Sequence, residues 1–109
     1  MEEKTLKNWQ AEVDHYIGQF KEGYFPPFEL LARMSEELGE LSREVHHQYG
    51  MKKKKDTEDK SSMEEELADL LFVIICFANA EKLSLNAAMS TVMEKFRTRD
   101  EHRWTRKEE

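Results

Sequence analysis

The chain has 109 residues, 39% hydrophobic and 37% charged, with a formal net charge of -6. That length is one domain, and the negative balance weighs against binding a nucleic-acid polymer, though not against a small anion that arrives with a cation. Four Gly and two Pro are too few for a turn-rich β architecture, and a single cysteine, Cys76, excludes an internal disulfide.

A first helix is predicted from about Glu3 to Phe20. Leu6, Trp9, Val13, Tyr16, Ile17 and Phe20 repeat at three- and four-residue steps and share one face, with Trp9 read as core. Gly18 interrupts the pattern late, Gly23 marks the exit, and Pro26-Pro27 fits the opening of the next helix, where a missing N–H costs nothing. The second helix is predicted from Pro27 to Tyr49 with Gly50 as the stop. Its stripe is Leu30, Leu31, Met34, Leu38, Leu41 and Val45, and Gly39 within it is read as a point of close packing.

Residues 51–61, which include four consecutive lysines, lose the apolar period and are expected to form a mobile basic loop, with a lid over phosphates as its functional reading. Ser62, followed three residues later by Glu65, has the pattern of a capping box. The third helix then runs to about Lys82 and is apolar almost all round, which places it centrally. It is interrupted by Asp69 and is shorter than the roughly 20 residues a membrane span needs. Cys76 within it reads as a buried, inert thiol. Ser84 caps a fourth helix with the stripe Leu85, Ala88, Met89, Val92, Met93 and Phe96, and residues 98–109 form a polar extension. The expectation is one all-α domain over residues 1–109, a four-helix bundle-like protomer. Three short partners cannot cover so apolar a third helix, so the protomer is expected to be part of a homo-oligomer. No apolar segment opens the chain, so no signal peptide and no membrane association are expected, and the location is read as cytoplasmic.

Two acidic patterns carry the chemistry. Glu36-Glu37-x-x-Glu40 lies on the second helix and Glu66-x-x-Asp69 on the third. Each places two carboxylates three residues apart on one helical face. Glu37 falls about 20° outside the Leu30 edge of the apolar arc, and Glu40 about 60° further out. Glu66 and Asp69 flank the most apolar run in the chain. Carboxylates gathered near a bundle interior must be protonated, paired with a base or bound to a cation. No Lys or Arg occurs between Met63 and Ala80, so a hard cation is the simplest answer. An all-oxygen donor set selects magnesium, manganese or calcium over zinc, and magnesium commonly shares its sphere with substrate phosphates. The bland alternative is a solvated acidic face, since E-E-x-x-E alone is common on surface helices. The chain also holds two E-x-x-H patterns, Glu12-x-x-His15 and Glu44-x-x-His47, as di-iron bundles do, but with no clear matching glutamate pair.

The combined pattern of E-E-x-x-E, a spacer of 25 residues and E-x-x-D resembles the signature of the MazG-like nucleoside triphosphate pyrophosphohydrolases, an all-α superfamily. It looks closest to the short stand-alone bacterial members of the YpjD type. The resemblance implies magnesium-dependent cleavage of a nucleoside triphosphate between the α and β phosphates, in a dimer or tetramer, with a role in nucleotide-pool house-cleaning. It implies metal ligation by Glu37, Glu40, Glu66 and Asp69, with Glu36 orienting water. Lys95 and Arg99 match the family's basic end and could grip phosphates, and Trp104, in a polar tail, could stack on a base. There is no P-loop for γ-phosphate chemistry and no nucleophilic Ser or Cys set beside a His. The reading from a different class is a helical dimerisation or adaptor protein with vestigial acids.

Overall fold

The computed structural model describes residues 2–50 and 62–107. The segment expected to form a basic lid, residues 51–61, therefore lies outside the described residues. The described residues form four helices: α1 (Leu6–Ile17), α2 (Pro27–Tyr49), α3 (Met63–Ala80) and α4 (Leu85–Asp100). The all-α, four-helix expectation is met.

Helix α1 is shorter than its apolar period suggested. Thr5 caps it through Asn8 N–H, and Asn8 returns the bond to the Thr5 N–H, so a capping box starts the helix. At the other end Gly18 closes it, and Gly23 adopts a left-handed φ of 65° in the turns that follow. Helix α2 begins at Pro27 as the sequence indicated, and Ser62 and Ser84 cap α3 and α4. The exit from α3 is tight. Leu83 N–H donates to the Ala78 carbonyl at 2.8 Å and Lys82 N–H to that of Asn79 at 3.1 Å, with Lys82 left-handed at φ 59°. This is a Schellman turn made without glycine. Helix α4 extends to Asp100, so the first residues assigned to the polar tail are helical.

The core lies where α3 packs along α2 and, to a lesser extent, along α1. Val13, Leu30, Val73, Ile75 and Cys76 form it, with Met34 and Phe77 against its edge. Helix α4 packs on α1 and buries no residue. Half of the α2 stripe stays uncovered: Leu31 and Leu38 are each 55% exposed, and Leu67, Leu71 and Phe72 of α3 are also open. Trp9 is exposed too, with the Lys4 ammonium 4.7 Å above its ring, so it belongs to the surface of the protomer. A Cβ at Gly39 would meet nothing within 4 Å, so this glycine allows no close approach inside the chain. Among the described residues no large side chain is fully buried.

Candidate metal centre

The acidic patterns meet because α2 and α3 are packed against one another over much of their length. Glu37 from α2 and Glu66 and Asp69 from α3 bring carboxylate oxygens within 4.8 Å of one another. Among the described residues this is the only group of three or more metal-ligating side chains. Glu66 is buried, Glu37 is partly covered, and Asp69 faces the open side. The i, i+3 spacing of Glu66 and Asp69 aims both at α2, as one helical face should.

The cluster is electrostatically frustrated. Burial pushes the Glu37 carboxyl above the usual carboxylate range, and repulsion from Asp69, Glu66 and Glu40 adds to the push, while Arg33 opposes it. Arg33 Nη2 stands 3.8 Å from Glu37 Oε1, one turn earlier on α2. Sequence reasoning looked for a basic partner on α3 and found none; the partner comes from α2. An Arg four residues before a Glu is the signal that could have located it. One guanidinium against three carboxylates leaves the group short of positive charge. The set fits a hard divalent cation: its donors are all oxygen, and one of them is buried.

Other residues expected at the site are not gathered there. Glu36 and Glu40 are exposed on α2, with Glu40 one turn beyond Glu37 and close enough to raise its pKa. Lys95 and Arg99 are exposed on α4, where both approach the Phe96 ring and Arg99 donates to Asp100. Trp104, beyond α4, is 64% exposed beneath the Arg103 guanidinium. Glu12 and His15 are exposed on α1, with Glu12 paired to Lys4. Glu44, of the second E-x-x-H pattern, is buried on α2.

A second polar assembly fixes the frame. Gln10 Nε2 donates to Asn79 Oδ1 and to the Leu83 carbonyl, both at 2.9 Å, and Gln10 Oε1 accepts from Leu85 N–H at 2.8 Å. Asn79 Nδ2 donates to the Tyr24 hydroxyl at 3.0 Å, which donates to Asp14 at 2.7 Å. Gln10 lies in register with Leu6, Val13 and Ile17. A polar residue on a core register is the signal that sequence reasoning passed over.

Comparison with known proteins agrees with this fold. The model of the MazG nucleotide pyrophosphohydrolase domain matches residues 25–104, which include both acidic patterns and the α4 cations. Bacillus subtilis (strain 168) YpjD, described as uncharacterized, is 63% identical over all of this chain and 98% of its own. The crystal structure of Bacillus subtilis YpjD, provisionally a pyrophosphatase, superposes with a TM-score of 0.78 at 61% identity, covering 88% of this chain and 98% of that one. The Bacillus-conserved MazG protein, a nucleotide pyrophosphohydrolase, superposes with a TM-score of 0.79 at 54% identity, covering 94% of this chain and all of its own. The chain is a hydrolase and belongs to the MazG nucleotide pyrophosphohydrolase family.

Proposed function

We propose that the chain is a magnesium-dependent nucleoside triphosphate pyrophosphohydrolase, releasing a monophosphate and pyrophosphate. The observation that carries this reading is the convergence of Glu37, Glu66 and Asp69 at the α2–α3 seam, with a proton or a cation needed to relieve it. These three would hold the ion, with Glu40, one turn along α2, as a fourth ligand. Magnesium held there, or manganese in its place, would supply charge neutralisation at the phosphoryl oxygens and a more acidic water. Glu36 orients the attacking water, and a carboxylate takes its proton. The water oxygen bonds to the α phosphorus, the α–β bridging bond breaks, and pyrophosphate leaves. The choice of the α–β bond rests on family membership.

The active form is a homo-oligomer, a dimer or tetramer working in the cytoplasm. Open apolar side chains on α2 and α3 support assembly. So does the position of the cations. Lys95 and Arg99 lie on α4, whose packing is with α1, whereas the acids lie on α2 and α3. A second copy can present its α4 where these cations reach the phosphates, with Arg99 making bidentate contacts.

Phosphorus NMR of a nucleoside triphosphate incubated with protein and magnesium tests the reaction. Monophosphate and pyrophosphate are expected; inorganic phosphate as the sole product overturns the reading. Absence of turnover on every nucleotide favours an adaptor with vestigial acids.

A further inference from the structure

Arg33 stands next to the carboxylates on α2, and its cationic head is poorly engaged. The residue lines an apolar slot with Leu30, Val73 and Cys76, all buried, yet its own side chain is 49% exposed. A long cationic side chain reaches that state by laying its stem on apolar surface and keeping its head in water. Its one ion pair among the described residues is with Glu37, and Nη2 to Oε1 at 3.8 Å is beyond hydrogen-bond reach. No described residue accepts a hydrogen bond from the Arg33 side chain. Helix direction explains the loose fit, because a base four residues before an acid is the less favourable order. The guanidinium fork, built to grip two oxygens at once, is left open.

We propose that Arg33 is a phosphate-binding residue: when a polyphosphate and its divalent cation arrive at Glu37, Glu66 and Asp69, the guanidinium leaves Glu37 and closes on a phosphate. The proposal rests on the hydrolase reading above. Charge favours the exchange. Glu37 turns its negative charge to the cation, so its hold on Arg33 weakens just as a stronger acceptor arrives. A polyphosphate carries more negative charge than one divalent cation cancels, and its paired oxygens fit the open fork. Placement agrees, since Arg33 lies one turn from Glu37, about 6 Å along the α2 axis, and its exposed head can move while the buried floor stays still. Unlike Lys95 and Arg99, it shares a helix with an acid of the cluster and needs no second copy to reach the site. Without a polyphosphate its effect is reversed, because a positive charge beside Glu37 competes with the cation. One residue thus disfavours the ion alone and favours the ion with its polyphosphate.

Isothermal calorimetry on the full-length protein separates the two effects. The probes are manganese and the α,β-methylene analogues of the four nucleoside triphosphates, whose carbon bridge resists cleavage. Arg33→Gln is expected to bind manganese alone roughly threefold more tightly. The same variant, in saturating manganese, is expected to bind the best of the analogues about tenfold more weakly. Arg33→Lys keeps the charge without the fork, so its manganese affinity should stay near wild type while analogue affinity is only partly recovered. A residue that merely braces Glu37 would weaken ion and analogue together, and that result, or analogue binding unchanged in Arg33→Gln, overturns the proposal. Turnover keeps the two readings apart. Release of pyrophosphate by the wild type, with analogue binding indifferent to Arg33, overturns the phosphate contact and leaves the hydrolase reading intact. Analogue binding that depends on Arg33, without turnover of any triphosphate, keeps the contact and removes the hydrolase reading.

Discussion

Gln10 and Asn79, 69 residues apart, exchange two hydrogen bonds: Gln10 Nε2 donates to Asn79 Oδ1, and Asn79 Nδ2 donates to the Gln10 carbonyl, both at 2.9 Å. The pair locks α1 onto the last turn of α3. Through Leu83 and Leu85 it also fixes where α4 begins. Truncating one partner strands the polar atoms of the other. Asn79→Ala is therefore expected to cost about 2 kcal/mol, read as a lower midpoint in urea unfolding. A change within a few tenths of a kcal/mol would remove the lock from the account.

The same network holds the Tyr24 phenol. Burial comes first among the causes that push its pKa from 10.0 up to about 12, and the hydrogen bond to Asp14 comes next. The folded value lies above the unfolded one, so its stabilising contribution is complete below pH 10 and is lost as pH rises toward 12. Absorbance titration near 295 nm should show a tyrosine ionising close to pH 12, and Tyr24→Phe should abolish that step.

At the metal centre the sign concerns an acid. Glu37 is held above the ordinary carboxylate range in the folded, metal-free protein. Its protonated form is favoured by folding, so this contribution is present at acid pH and is lost as pH rises through the folded value. Glu37→Gln is expected to raise the melting temperature in EDTA at neutral pH. In magnesium the order should reverse, with the wild type gaining stability and the variant gaining little. Calorimetric melting with and without the ion checks both halves.

Much of this was legible in the sequence. Serine caps at Ser62 and Ser84 and the opening proline of α2 located three helix starts, because each is a local device with a fixed offset. The pairing of Glu37 with Glu66 and Asp69 was legible for a similar reason, since i, i+3 acids beside apolar runs can only meet at a seam. What periodicity could not supply was coverage. It sorts residues by face and says nothing of whether a neighbour lies against that face, so Leu31, Leu38 and Trp9 read as core and lie open. The placement of α4 was equally hidden, because it depends on Gln10 and Asn79, two amides whose partners are distant in the chain.

Those open faces lead to a further expectation. Leu38 and Leu71 are exposed in the protomer at 55% and 43%. If they are covered by a second copy, Leu38→Glu and Leu71→Glu should each reduce the sedimentation coefficient toward that of a monomer at micromolar concentration. Burying a carboxylate without a partner costs several kcal/mol, which is enough to dissociate an ordinary interface. A wild-type protein that sediments as a monomer would contradict the oligomer.

Arg33 beside three carboxylates has one more consequence, which concerns electroneutrality. The four groups carry two negative charges in excess. One divalent cation cancels that excess until Glu40 joins as a fourth carboxylate, and a monovalent ion leaves half of it. Glu66 is buried, so solvent screens a remainder less there than at the exposed Asp69. Valence is thus selected before ionic radius or coordination number enters, and a singly protonated Glu37 with a monovalent ion is the competing neutral state. Potassium or sodium should bind only where acid supplies the missing charge.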